Sequence, residues 1–241
     1  MKRKAKKYKL SEVVSIVSHQ LKTPLSVIKG YLEVLISEDL GKLNEQQKEY
    51  LRDTLENTQR MILLVKDLLD VSKIEEGRLE FKIKPSSLEK IVREAIKEFS
   101  PLTKAKNCTI FLKVSGKIPP LNIDPMKIKQ VITNILSNAI EYNDKKGEIY
   151  LTIKRKGNNV LFCCKDTGIG IPEREKKKVF TKFYRSERAI ILATGGSGLG
   201  LFISKAIIKK SGGKIWFKSK EGKGSTFCFS LPVKRYESKK T

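Results

Sequence analysis

Residues able to do chemistry gather in five places along this chain. The first is Ser18-His19-Gln20-Leu21-Lys22-Thr23-Pro24-Leu25, which holds the only histidine of the 241 residues. An imidazole is both a nucleophile and a proton carrier near neutral pH. The second is Asn134-Ile135-Leu136-Ser137-Asn138-Ala139-Ile140-Glu141-Tyr142. Asn134, Asn138 and Tyr142 stand four apart and share one flank of a helix. A neutral amide oxygen there can ligate Mg²⁺ without adding charge to a site that already holds phosphates. The third, Asp166-Thr167-Gly168-Ile169-Gly170-Ile171, ends a strand. Asp166 has the parity of Val160, Phe162 and Cys164, so it faces inward, where a carboxylate needs a donor. An adenine amino group is such a donor, and the glycines let the backbone approach a ligand closely. The fourth, Val179-Phe180-Thr181-Lys182-Phe183-Tyr184-Arg185, reads either as a core-packed segment or as the hinge of a phosphate lid. The fifth, Gly195-Gly196-Ser197-Gly198-Leu199-Gly200-Leu201, opens a helix, and backbone N–H groups at a helix start bind phosphate.

Each place also has an ordinary reading. A lone helical His is usually packed or solvated, two helix asparagines are usually just exposed, and a strand-ending Asx turn is common. The glycine loop does not follow a strand, as a dinucleotide-binding fingerprint would. Their order in one chain is what gives them weight together.

The elements that must position these residues follow from periodicity. Leu10, Val14, Val17, Leu21, Leu25, Ile28, Leu32 and Leu35 step by three and four, which makes one apolar stripe on a helix. Pro24 falls inside it and removes a backbone hydrogen bond. Glu38-Asp39-Leu40-Gly41-Lys42 breaks the pattern, and Asn44 with Gln47 forms a capping box for a second helix. That helix carries Leu51, Leu55, Thr58, Ile62, Val65 and Leu69. The two arms, each about 30 residues or ~45 Å long, leave stripes that a single hairpin cannot cover. Two hairpins packed as a four-helix bundle would cover them, the alternative being docking on the rest of the chain; stripes that run the full length of both arms favour the homodimer. Leu79, Phe81 and Ile83 alternate with charged residues and suggest an edge strand that Pro85 ends, with Ser86 and Glu89 capping the next helix over Leu88 to Phe99. Strands read at Thr109–Val114, Glu148–Lys154, Asn159–Lys165, Lys214–Lys218 and Ser225–Leu231. Helices read at Pro125–Tyr142 and Leu199–Ser211. Helices interleaved with antiparallel-looking strands indicate an α+β layer sandwich.

Lys and Arg number 50 against 26 Asp and Glu, a net charge of +24. Such a balance suits nucleic acid, an anionic membrane surface or acidic partners, but the charge is dispersed, and dispersed Lys is usually a solvated surface. No interleaved basic and aromatic motif for nucleic acid is legible, and none is expected as a partner. No apolar run is long enough to span a bilayer, and there is no signal peptide, so a cytoplasmic location is expected. Residues 1–9, rich in Lys, fit either the flank of a membrane helix or sensor region outside this chain, or a solvated start. The four cysteines, Cys108, Cys163, Cys164 and Cys228, lack metal-ligand spacing and are expected to be reduced; Cys163 and Cys164 point to opposite faces of a strand.

The five places together resemble, in order and spacing, the H, N, G1, F and G2 boxes of sensor histidine kinases, over about Leu10 to Pro232. The resemblance implies two domains: residues 1–76, a dimerisation and histidine-phosphoacceptor hairpin forming a dimeric four-helix bundle, and residues 77–241, a Bergerat-type ATP-binding α+β sandwich. It implies ATP and Mg²⁺ as cofactors, with Asn138 as the metal ligand and Asn134 its companion. Tyr142 would pack near adenine and Asp166 would read it, with Gly168 and Gly170 alongside. Lys182, Arg185, Gly196, Gly198, Leu199 and Gly200 would form the phosphate side. It further implies that His19 attacks the γ-phosphorus in line, and that the group passes to an aspartate of a response-regulator receiver domain. Thr23 matches a position that orients water for phosphatase action on that partner. Two positions depart from the family: Gln20 stands where an acid usually follows the His, and Glu141 where Lys often precedes the Tyr. The segment Ser186 to Thr194 is short, with Ala189-Ile190-Ile191-Leu192 apolar enough to dock on the hairpin or the sheet. The rival classes are an ATPase of the same superfamily without phosphoacceptor chemistry, a serine kinase of the anti-sigma type, and a basic nucleic-acid-binding protein. The His19 hairpin argues against the first two.

Overall fold

The computed structural model describes residues 10–143, 146–186, 188 and 196–233. The Lys-rich residues 1–9 and the apolar stretch 189–192 lie outside the described residues. The chain divides into two compact units, with the change at Leu79 and Glu80.

In the first unit, α1 (Leu10–Ile36) and α2 (Glu45–Glu75) form a helical hairpin. The capping box is present: Asn44 Oδ1 accepts from Gln47 N–H at 2.8 Å, and Gln47 Oε1 accepts from Asn44 N–H at 2.9 Å. α1 continues through Pro24, and the Ser26 hydroxyl donates back to the Lys22 carbonyl at 2.9 Å. The expected single stripe is divided. Ser18, Leu25 and Leu32, seven residues apart, are buried in α1, and Thr58, Val65 and Ser72 repeat that spacing in α2. A seven-residue repeat is the signature of coiled-coil-like packing. The other half of the stripe stays open: Val17, Leu21, Ile28 and Leu35 are 46%, 42%, 44% and 39% exposed.

The second unit begins with β1 (Lys84–Ser86), α3 (Leu88–Glu98) and the short α4 (Ser100–Ala105). Next come β2 (Thr109–Ser115), β3 (Leu121–Ile123), α5 (Pro125–Glu141), β4 (Glu148–Lys156) and β5 (Asn159–Asp166). A 3-10 turn (Glu173–Lys178), α6 (Gly200–Lys210), β6 (Lys214–Ser219) and β7 (Ser225–Pro232) complete it. A five-stranded sheet runs β2-β4-β5-β7-β6, and α5 packs against α3, α6 and β5. The pairs are antiparallel except β2 with β4, which is parallel. The sheet's inner face is apolar: Ile149, Leu151, Ile153, Val160, Phe162, Phe229 and Leu231 are buried, and the Phe162 and Phe229 rings stack at 4.9 Å.

Three expectations need correction. The strand expected from Leu79 to Pro85 is reduced to Lys84–Ser86, with Pro85 inside it, because its partner β3 offers only three residues. Ser87, not Ser86, caps α3, accepting from Lys90 N–H at 3.2 Å, because Ser86 is still paired with Leu121. The cysteines are not all reduced. The β5–β7 register sets Cys163 opposite Cys228, Cα to Cα 4.1 Å, and they form a disulfide; Cys108 and Cys164 are free and buried.

Candidate functional site

α5 is fixed at its start by Asp124, a buried residue whose importance the sequence reading missed. Its Oδ1 accepts from the N–H groups of Met126 (3.0 Å) and Lys127 (3.1 Å), and its Oδ2 accepts from Lys82 N–H at 2.7 Å. Asp followed by Pro at the first helical position is a start signal present in the sequence. The apolar side of α5, Ile128, Val131, Ile132, Ile135, Leu136 and Ala139, is buried. Asn134 and Asn138 lie half-buried on its flank, as expected.

Their surroundings differ. Asn134 Nδ2 donates to the buried Ser204 hydroxyl of α6 at 3.0 Å. A Cβ at Gly200 would stand 2.0 Å from Asn134 Oδ1, so the missing side chain in the first turn of α6 makes room for the amide. Asn134 therefore fastens α5 to α6. Asn138, one turn on, accepts from Tyr142 N–H through its backbone carbonyl at 3.0 Å, but its side-chain amide meets no hydrogen-bond partner among the described residues.

Asp166 is buried at the end of β5, and its Oδ1 accepts from Gly168 N–H (3.0 Å) and Ser225 N–H (2.9 Å). Burial pushes its carboxyl above the usual range, and the two backbone donors oppose that shift. The Asx turn and the inward-facing carboxylate are thus both present. The glycines have close backbone neighbours. A Cβ at Gly168 would lie 2.2 Å from the Tyr142 carbonyl, and one at Gly170 (φ +66°) would lie 2.1 Å from the Lys220 carbonyl. They let backbone approach backbone at these two points. Ile169 N–H donates to Tyr142 O at 3.1 Å and Gly222 N–H to Ile169 O at 2.7 Å, so the loop after β5 is tied to the end of α5 and to the β6–β7 turn. This tie brings the end of α5 and Asp166 to one place.

Tyr142, just past α5, is half-buried, and burial pushes its phenol up; the Glu141 charge adds to this, while Arg185, hydrogen-bonded to it, opposes it. The aromatic–basic run divides by role. The Phe180 ring packs on Phe217 at 5.7 Å, Lys182 Nζ lies 5.5 Å over the Phe202 ring of α6, and Phe183 is 64% exposed with φ +60°. A Cβ at Gly198 (φ +67°) would lie 2.7 Å from the Phe183 carbonyl carbon, so this run and the glycine loop touch. Leu199 is buried, 2% exposed, and anchors the start of α6 by packing. No side-chain cap hydrogen bond is made at Leu199, before the first turn of α6, and backbone N–H groups at a helix start are of the kind that bind an anion. Gly196 takes φ +136° in the same loop. Lys106, another residue not foreseen, donates to the Glu141 carbonyl at 3.3 Å and sets a cation at the departed position.

In the hairpin, His19, Gln20 and Thr23 are exposed on α1, and His19, Lys22, Thr23, Ser26 and Val27 line one shallow hollow. Ser18, beside His19, is fully buried, and its hydroxyl finds no partner among the described residues.

Among the described residues no group of three His, Cys, Asp or Glu could hold a metal ion. An amide oxygen such as that of Asn138 is a donor type that a hard cation accepts. No helix among the described residues is long and apolar enough to cross a membrane.

Two family models match. The His Kinase A (phospho-acceptor) domain covers residues 9–77, and the Histidine kinase-, DNA gyrase B-, and HSP90-like ATPase covers residues 123–235. The chain is 37% identical over 225 residues to the sensor histidine kinase WalK of Bacillus subtilis, covering 92% of this chain and 36% of that protein. It is 31% identical over 223 residues to the circadian input-output histidine kinase CikA of Synechococcus elongatus, 92% of this chain and 30% of that one. Full-length ShkA in complex with AMPPNP superposes with a TM-score of 0.76 at 25% identity, over 95% of this chain and 47% of that chain. Histidine kinase ThkA in complex with response regulator protein TrrA gives a TM-score of 0.62 at 25% identity, over 93% and 62%. The chain thus spans about a third of the length of these two curated relatives.

Proposed function

Because this chain belongs to the sensor histidine kinases of two-component systems, we propose that it is an ATP-dependent protein-histidine kinase whose phosphoacceptor is His19. The observation that carries this reading is the pairing of an exposed His19 in the hairpin with the α5–Asp166–α6 arrangement of the second unit. A side-chain nitrogen of His19 attacks the γ-phosphorus of ATP. A new N–P bond forms, the bond from that phosphorus to the bridging oxygen breaks, and ADP leaves. The ring's other nitrogen gives up its N–H proton to solvent, and the phosphoryl group then passes to a carboxylate of a response-regulator receiver domain, leaving the imidazole to be reprotonated. A phosphoramidate suits that relay because it is more reactive than a phosphate ester.

Asp166 reads the adenine amino group with the oxygen that Gly168 and Ser225 do not engage. Tyr142 and Arg185 flank the base and its sugar-phosphate, and the uncapped start of α6 with Gly196, Gly198 and Gly200 faces the phosphates. Asn138 would hold Mg²⁺, which supplies charge neutralisation at the phosphates. Catalysis then rests mainly on positioning. Thr23, one turn from His19, stands where it can orient water for removal of the phosphoryl group from the regulator. The open seam of Val17, Leu21, Ile28 and Leu35 supports a homodimer through residues 10–75, since each fully covered Leu or Ile contributes about 1.5–3 kcal/mol.

Incubation with γ-labelled ATP tests the reading. Label should appear in the wild type, be lost in acid and survive base, and be absent from His19→Ala. Label that survives acid, or that persists in His19→Ala, would place the acceptor on another residue.

A further inference from the structure

The outer face of the five-stranded sheet is left uncovered by the α5 layer, and its composition is unusual. The registers align its residues in rows. One row runs Phe111, Tyr150, Lys165, Thr226, Lys218; the next runs Lys113, Thr152, Cys163, Cys228, Trp216; the third runs Ser115, Lys154, Leu161, Ser230, Lys214. Phe111, Tyr150 and Trp216 are 44%, 38% and 38% exposed, and the lysines of these rows are exposed as well. Glu148, at the edge, is the acid facing this way, and it accepts from the Tyr150 hydroxyl at 2.7 Å. Five strands at ~4.8 Å spacing make this a field about 19 Å wide.

We propose that this sheet face is a docking surface for an anionic lipid bilayer. Charge complementarity sets the partner's sign: lysines spread over a broad face with an acid only at its margin attract negative charge. The kind of charged residue narrows it further. The rows carry lysines and no arginine, so they offer point charges on flexible stems and not the planar forks that grip individual phosphates. A field of point charges matches a diffuse anionic surface, and lysine stems can lie along apolar surface with the ammonium group in water. Trp and Tyr are the side chains that sit at a membrane–water boundary. Single-stranded nucleic acid fits less well, because it binds by stacking bases on open aromatic faces. Tyr150 is closed on both sides: the Phe111 ring stacks on it at 5.0 Å and 17°, and Lys165 Nζ stands 5.9 Å from its centre on the β5 side. This inference is independent of the kinase reading, since the face lies on the opposite side of the sheet from Asp166.

Trp216 is the one tryptophan of the chain and lies on the face, so it reports contact directly. The full chain is mixed with vesicles of phosphatidylcholine alone or with phosphatidylserine. Trp216 emission should move to the blue on the anionic vesicles and be quenched by brominated acyl chains, with no change on the neutral ones. The variant K113Q/K154Q/K165Q/K218Q should bind anionic vesicles about tenfold or more weakly. The variant K90Q/K97Q/K104Q/K209Q removes the same charge from the helices and should change affinity less than about threefold. Melting temperatures check that both variants fold, and the wild-type emission needs neither. Binding that leaves Trp216 emission unmoved overturns the proposal, as do equal losses in the two variants or equal binding to both vesicle types. So does a single-stranded oligonucleotide that binds through the same lysines and displaces the protein from vesicles at equal charge concentration.

Discussion

The two units bury their apolar residues in opposite ways. The sandwich closes on itself: Leu88, Leu121, Ile128, Ile132, Leu136, Ile140, Phe162 and Phe229 are fully enclosed. The hairpin does not: it buries one seven-residue seam and leaves Val17, Leu21, Ile28 and Leu35 open. Their polar groups differ in the same sense. Asp166 is buried and held by two backbone donors, whereas His19, Gln20 and Thr23 stand in solvent. On the proposed function, the sandwich would hold a small ligand in a fixed place and the hairpin would be reached by other proteins. Fixed dipoles inside a closed core keep their direction, whereas the proposed acceptor, if it is to meet both an ATP site and a regulator, has to be accessible.

The largest expected effect breaks the sandwich's function without breaking its fold. Asp166→Asn should weaken ATP binding about a hundredfold or more, because the free position then presents an amide donor to the adenine amino group. The same change should stabilise the ligand-free protein at neutral pH. A carboxyl whose folded pKa is raised contributes stability below its unfolded pKa and loses it as pH rises through the folded value, so at neutral pH the buried charge is a cost. The Asn oxygen can still accept from Gly168 and Ser225. Calorimetric titration and melting curves should therefore move in opposite directions, with Tm up by about 2–4 °C per kcal/mol relieved. Loss of both binding and Tm would mean that Asp166 is structural.

The next effect falls on the hairpin. Leu21→Asp with Ile28→Asp puts charge in the open seam, and light scattering should show a dimer for the wild type and a monomer for this variant at micromolar concentration. ATP affinity should be unchanged, since the sandwich core closes within one chain. A variant that remains dimeric would locate the interface elsewhere.

Gly200→Ala separates the helix tie from the ligand. The added Cβ meets Asn134 Oδ1 at 2.0 Å, so the α5–α6 fastening must shift. Overpacking of this kind costs about 1–3 kcal/mol. The denaturation midpoint of the sandwich should fall while the dimer, measured by scattering, persists; an unchanged midpoint would mean that the amide moves aside freely.

The smallest expected effect is at Gln20. Its amide oxygen can orient His19 by accepting a ring N–H but cannot take the proton. Gln20→Glu adds that capacity and should speed single-turnover autophosphorylation by part of the ~10²–10⁴-fold that a positioned base contributes; Gln20→Ala should slow it. A folded Gln20→Glu protein that is no faster would show that proton acceptance at this position is not limiting.

Much of the site was legible because its parts are local. The Asn44 capping box, the flank shared by Asn134 and Asn138, and the inward parity of Asp166 depend on spacings of two to four residues, and the structure has all three. Where the reading failed, the deciding partner was distant. Ser86 could not cap α3 because it pairs with Leu121, and the strand before it is short because β3 is short. At Gly168 and Gly170 the atoms that forbid a side chain are the distant carbonyls of Tyr142 and Lys220, which no local pattern reveals. The two asparagines look equivalent by spacing, and only Ser204, 70 residues further on, distinguishes them.

The sequence by itself determined which residues could do the chemistry and on which helix or strand each one lies, because side-chain type and periodicity are properties of short segments. Tertiary structure alone decided what those segments meet. It paired β2 with β4 in parallel, set Cys163 against Cys228 across 65 residues, and left half of the hairpin stripe open. It also gathered Phe111, Tyr150, Lys165 and Trp216, which form no motif along the chain, onto one face. Register and burial are set by contacts between distant segments, and no local pattern carries that information.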